Sequence, residues 1–170
     1  MPTTVHPAAL ELESLLKQCK IRRGRRSGPG GQHRNKVETA IVITHNPTGV
    51  RAEATERRSQ EQNRRVAIVR LRINLAVDVR CPCEPDDPPS ELWQARCTSG
   101  RITINPDHED FPAVLAEALD YVSACEFDLA GAAGKLGCTS SQLVKLFKLE
   151  SRALQAVNAQ REKLNVSPLR

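Results

Sequence analysis

Ser27-Gly28-Pro29-Gly30-Gly31-Gln32-His33-Arg34-Asn35-Lys36 is the stretch on which the reading of this chain turns. Three glycines and a proline stand within its first six residues, a density that no helix or strand interior tolerates. It must therefore be a loop, and the residues on either side say what kind. Residues 21–26 suit an extended chain, and residues 37–44 alternate and are rich in β-branched side chains, as a strand requires. Asn46-Pro47-Thr48-Gly49 has turn chemistry, and residues 50–55 supply a return strand. The loop thus opens onto a small antiparallel sheet.

Further outward, Ser59 followed by Gln62 has the spacing of a capping box at the head of a long helix. Val66, Val69, Ile73 and Val77 fall on one face of it, and Ile68, Leu71 and Leu75 widen that face. Upstream, Pro7, Ala8, Leu10, Leu12, Leu15 and Leu16 read as a short amphipathic helix ending near Cys19. The expected class is α+β, with a small sheet packed on a long helix over residues 1–80. Residues 81–105 read as an acidic, proline-rich linker with a possible strand near Arg101. Residues 106–170 return to helical spacing: a helix from Phe111 to Cys125, a small-residue helix around Ala132, a turn at Gly137, and a helix carrying Leu143, Leu146 and Phe147. That order predicts a helix-turn-helix-like domain.

The net charge of +5 is unevenly placed, since residues 1–80 hold 16 Lys+Arg against 7 Asp+Glu, whereas residues 81–130 hold 2 against 11. Basic charge returns over residues 131–170, with 7 against 2. Two basic segments suggest two surfaces able to meet a polyanion. No apolar run approaches membrane-spanning length, so no membrane partner is expected, and the N-terminus has no targeting pattern. A cytoplasmic monomer is the expectation. Six cysteines without a secretion signal read as reduced thiols. Cys81 and Cys83, with Cys97 and His108 downstream, are split by a single proline rather than spaced as a Cys-x-x-Cys turn. No metal or other cofactor is expected.

The loop resembles the catalytic loop of class I peptide chain release factors and of codon-independent ribosome-rescue hydrolases. The likeness continues in order through Thr39-Ala40, the run from Ile43 to Gly49, Arg58-Ser59-Gln60 and Asn63. It implies a ribosome-dependent peptidyl-tRNA ester hydrolase with Gly30, Gly31 and Gln32 at the catalytic tip. Glycines there allow the backbone conformations and close approach that RNA demands. The resemblance further implies that the main-chain N–H of Gln32 donates to the developing oxyanion. Arg25, Arg26, Ser27, Arg34, Asn35 and Lys36 would contact RNA, and the partners would be peptidyl-tRNA and the rRNA of the large-subunit peptidyl transferase centre. Arg34 is a departure, standing where the family more often has an apolar residue. Residues 81–170 do not resemble a codon-reading domain, so rescue of stalled ribosomes is expected rather than stop-codon termination. Lys145, Lys148 and Arg152 would line the exposed side of the second helix of the helix-turn-helix as further RNA contacts. The competing expectation is a helix-turn-helix regulator or a non-catalytic ribosome-binding factor, with Gln142 nearly alone as a base-reading side chain.

Overall fold

The computed structural model describes residues 5–24, 39–84 and 86–170. A 3-10 turn at Pro7–Ala9 and a short helix α1, Leu12–Lys17, lead into three strands: β1, Cys19–Gly24; β2, Ala40–His45; and β3, Arg51–Ala54. They form an antiparallel sheet in the order β1-β2-β3. The register pairs Gly24 with Ala40, Ile21 with Ile43, and Ile43 in turn with Ala52. Gly49 closes the β2–β3 turn at φ +73°, a conformation that favours glycine.

Helix α2, Gln60–Asp78, crosses one face of this sheet. Ile41, Ile43, Ala52 and Ala54 alternate inward along β2 and β3, and all are buried. The face that α2 buries is not the valine face expected from the sequence. Asn63, Ala67, Leu71 and Leu75, spaced by four residues, are fully buried together with Ala76, whereas Val69 is 53% exposed. Alanines on both the helix and β3 let the two backbones approach closely, and this pushes the wider β-branched side chains to the flanks. Ser59 also departs from expectation, because its side chain makes no cap hydrogen bond. The Asn63 side chain bonds the backbone of Arg57, just before that helix end, and of Thr39.

The α+β class expected from the sequence is what the chain adopts. Beyond α2 come a short helix α3, Glu91–Arg96, a two-residue hairpin of β4, Cys97–Thr98, with β5, Arg101–Ile102, and four helices. These are α4, Phe111–Ala124; α5, Leu129–Lys135; α6, Ser140–Leu149; and α7, Ser151–Lys163. Helix α4 buries nearly every residue from Phe111 to Val122 because it packs on α2 as well as on α3, α5 and α6. Asp128 caps α5 through the N–H groups of Ala130 and Gly131, and the Thr139 hydroxyl caps α6 at Gln142. Trp93 is buried and its indole N–H donates to the Leu136 carbonyl at 2.8 Å, pinning α3 to the α5–α6 turn. The proline-rich strap before α3 lies against α4: the Tyr121 hydroxyl donates to the Asp87 carbonyl at 2.8 Å, and Glu117 accepts from the Ser90 N–H at 2.7 Å. One hydrophobic cluster runs from Ala8 and Leu15 through Leu71 and Leu75 to Phe147 and Val157. The C-terminal residues fold back on α7, where Asn158 exchanges two hydrogen bonds with Leu169.

Candidate functional site

The catalytic residues expected from the sequence, Gly30, Gly31 and Gln32, and the expected contacts Arg25, Arg26, Ser27, Arg34, Asn35 and Lys36 lie outside the described residues. What the structure provides is the frame that holds both ends of their segment. The chain leaves the sheet at Gly24 and re-enters at Ala40, which are register partners. Beside this junction Asn63, fully buried in the first turns of α2, donates through Nδ2 to the Thr39 carbonyl at 2.6 Å and to the Arg57 carbonyl at 3.1 Å. Its Oδ1 accepts from the Arg57 N–H at 2.9 Å. One amide therefore fastens the re-entry of the loop to the helix and to the β3–α2 connection. Only a side chain with both donors and an acceptor can do this.

The far end of the hairpin is fixed by His45, which is 1% exposed. Its Nε2 lies 3.0 Å from Gln18 Oε1, and its Nδ1 lies 2.7 Å from the Thr48 hydroxyl. Gln18 Oε1 can only accept, so Nε2 carries the proton and Nδ1 accepts from Thr48. Burial lowers the pKa of the ring, keeping it in this neutral tautomer.

Around the foot of the loop the electrostatics are one-sided. Lys20, Arg22 and Arg23 on β1, and Arg58 and Arg64 at the head of α2, are exposed and have no carboxylate partner among the described residues. Other cations are engaged. Arg70 forks onto Glu56 and the Glu53 carbonyl, and Arg65 pairs with Glu61. In the C-terminal half Lys145 and Lys148 stand exposed on α6. Arg152 does not join them as a free cation: its Nε meets Glu150 at 2.8 Å and its Nη1 meets Asn74 Oδ1 at 2.8 Å. Gln142 is also committed, its Oε1 accepting from the Ile102 N–H at 3.1 Å. This takes away half the hydrogen-bonding capacity with which a glutamine would read a base.

One group has the composition of a metal site. His6, Cys81 and Asp120 bring their ligand atoms within 4.8 Å of one another. The hydrogen bonds argue against coordination. His6 Nε2 donates to the Val79 carbonyl at 3.1 Å and its Nδ1 accepts from the Ala8 N–H at 3.0 Å, so neither nitrogen has a lone pair to offer. Arg80 donates to Asp120 Oδ1 at 3.2 Å and already supplies the cation. Burial pushes the Asp120 carboxyl up to about 6, against the pull of Arg80 and of the Cys81 N–H. Burial likewise holds His6 down at about 4. The trio is a clamp joining residue 6, the C-terminal end of α2 and α4. Of the other cysteines and histidines considered as ligands from the sequence, His108 sits instead against Arg96 and Asp110, and all six cysteines are free thiols.

Residues 10–94 match the RF-1 domain family, half of the chain. The chain belongs to the RF-1 domain family. The RF-1 domain match takes in the sheet, α2, Asn63 and the loop segment together. Related proteins include the chloroplastic peptide chain release factor PrfB1 of Arabidopsis thaliana, 55% identical over 69 residues, which are 41% of this chain and 15% of that protein. Peptide chain release factor 2 of Campylobacter concisus is 47% identical over 66 residues, 39% of this chain and 18% of the relative. Peptide chain release factor 1 of Xylella fastidiosa is 44% identical over 72 residues, 42% and 18% respectively. The aligned part is thus under a fifth of the length of each of these relatives. No helix among the described residues is long and apolar enough to cross a membrane.

Sequence reasoning reached Asn63 and His45 as landmarks without their roles. The role of Asn63 follows from a polar residue at a position spaced by four from Ala67, Leu71 and Leu75. A buried amide in that row must find partners, and the loop foot supplies them.

Proposed function

We propose that this RF-1 domain protein hydrolyses the ester of peptidyl-tRNA on the ribosome, and does so without reading a stop codon. The observation that carries the reading is the Asn63 brace, which joins two landmarks of the resemblance, Thr39 and Asn63, to Arg57, the residue that precedes the Arg58-Ser59-Gln60 landmark, in one support for the loop. Gly30 and Gly31 let the loop backbone approach the reacting ester, and the Gln32 N–H stabilises the oxyanion. Such a donor is worth about 3–4 kcal/mol in the transition state. Arg25, Arg26, Arg34 and Lys36 hold RNA phosphates, which positions the loop without reading sequence. The partners are peptidyl-tRNA and large-subunit rRNA, the protein acts as a monomer, and the compartment is the cytoplasm. Residues 1–80 carry the chemistry. Residues 106–170 dock the protein through Lys145 and Lys148, and the two parts share one core.

Release of a labelled peptide from ribosome complexes tests this, with binding measured in parallel. Gly31→Ala, which displaces the Gln32 N–H, should lower release at least 100-fold, the rate loss being that of one oxyanion donor, whereas Gln32→Ala keeps that N–H and should lower release less; both should leave ribosome binding within about twofold. Full release by Gly31→Ala would overturn the assignment. Complexes carrying a stop codon, a sense codon or no codon in the A site should be released at similar rates. A strong stop-codon preference would refute the codon-independent part alone.

A further inference from the structure

Between β1 and the head of α2 lies a cavity of about 270 Å³, lined by Ile21, Arg23, Ile41, Gln60, Glu61 and Arg64. We infer that it is a docking site for a single unstacked RNA nucleotide, its phosphate held by Arg23 and Arg64 and its sugar and base laid on Ile21 and Ile41. The inference rests on the RNA-facing reading of this domain and adds a site away from the loop tip.

The lining sorts by chemistry. Arg23 pairs in register with Ile41, and Ile21 with Ile43, so Arg23 and Ile21 project on the helix side of the sheet rather than its open side. Arg64 faces them from the second turn of α2. Both arginines are exposed and neither has a carboxylate partner among the described residues. The one carboxylate in the lining, Glu61, is paired with Arg65 on its own helix at 3.2 Å, so it leaves the two arginines to an outside anion.

Two unpaired arginines from different elements around an apolar floor fit a phosphate carrying an organic group better than a bare anion. The volume is near the lower end of the ~300–1,000 Å³ usual for small-ligand sites, which suits one nucleotide and excludes a duplex. Ile21 is 37% exposed on a strand whose other exposed residues, Lys20, Arg22 and Arg23, are all charged, which a purely solvated edge does not require. Charges on β1 would protect that edge strand from unwanted pairing. This does not account for Arg64, which lies on the helix. Gly24 follows Arg23 directly and ends β1, so a nucleotide held here sits at the foot of the loop.

Binding of a single-stranded RNA heptanucleotide to the full chain, followed by fluorescence anisotropy over a salt series, tests the site. Arg23→Gln with Arg64→Gln should weaken binding at least tenfold and flatten the slope of log affinity against log salt by about 0.7, for the one phosphate that the two arginines share on a single strand. Ile21→Ala should weaken binding with the slope unchanged, because it removes floor contact and no charge. Affinity and slope unchanged in the double variant would overturn the proposal, as would an affinity loss in Ile21→Ala no greater than in the remote surface change Val69→Ala. A photo-crosslinking side chain in place of Glu61 should attach to RNA in ribosome complexes, and attachment to protein alone would overturn the proposal. If Gly31→Ala abolishes peptide release while the double variant leaves oligonucleotide binding intact, this site is refuted and the release reading stands.

Discussion

Replacing Asn63 should destabilise the protein and disable the loop together, and the structure sets the size of the effect. Asn63→Ala removes three hydrogen bonds, of 2.6, 3.1 and 2.9 Å, and leaves the carbonyls of Thr39 and Arg57 and the Arg57 N–H without that partner. At about 1 kcal/mol for each net bond the loss is about 3 kcal/mol. For a chain of this size the melting temperature should fall by roughly 6–12 °C, at ~2–4 °C per kcal/mol. Asn63→Leu should cost at least as much, because an apolar side chain of similar bulk keeps out the water that could replace the amide. Asn63→Asp keeps an acceptor for the Arg57 N–H but sets a carboxylate against two carbonyls. Its folded pKa is therefore raised, the native state binds the extra proton, and the variant should regain stability as pH falls. Chemical denaturation followed by circular dichroism measures these differences, and peptide release is assayed at a temperature where each variant is folded. Release by folded Asn63→Ala should fall at least tenfold. A destabilisation below 0.5 kcal/mol by the denaturation assay, where about 3 is expected, would refute the brace.

Asp120→Asn should steepen the loss of stability on acidification. His6, held at about 4, costs stability as pH falls from 6.5, whereas Asp120, raised to about 6, returns it over the same range, so the two offset each other in the parent chain. Without the carboxylate, the drop between pH 6.5 and 4 should deepen by on the order of 3 kcal/mol, and parallel curves for parent and variant would contradict this. Trp93 fluorescence and far-ultraviolet circular dichroism should trace one coincident urea transition, since a single hydrophobic cluster spans both halves. Two separated transitions would mean that α2 and α4 part without general unfolding.

The hairpin was legible because β-branched alternation and an Asn-Pro-Thr-Gly turn act locally, and the α4–α6 region because small residues, Gly137 and Thr139 mark its turn. The phase of α2 was not. Val66, Val69 and Ile73 are its most obvious apolar residues, yet closeness to β3 selects Ala67 and leaves Val69 in solvent. Nor could sequence show that Arg152 is taken by Glu150 and Asn74, because Asn74 lies 78 residues away. The nucleotide cavity was hidden for the same reason. Its arginines belong to an edge strand and a helix that only the fold brings together.

The C-terminal half is tied to the loop by two routes that both run through α2. At its far end the His6–Arg80–Asp120 clamp joins α2 to α4. Along its side, Glu150 holds Arg152, Arg152 donates to Asn74, and Asn74 donates to the Arg51 carbonyl of β3 at 2.8 Å. These exposed bonds add little stability, but they fix direction. At its near end the same helix carries Asn63 against Thr39. A helix of 19 residues is a stiff rod of roughly 28 Å. Lys145 and Lys148 are thus held at a set distance and angle from the foot of the loop, with no hinge among the described elements between them. A contact made by α6 would thereby set the orientation of Thr39 and Ala40 at the foot of the loop, so the two surfaces would need little further ordering before a partner is met.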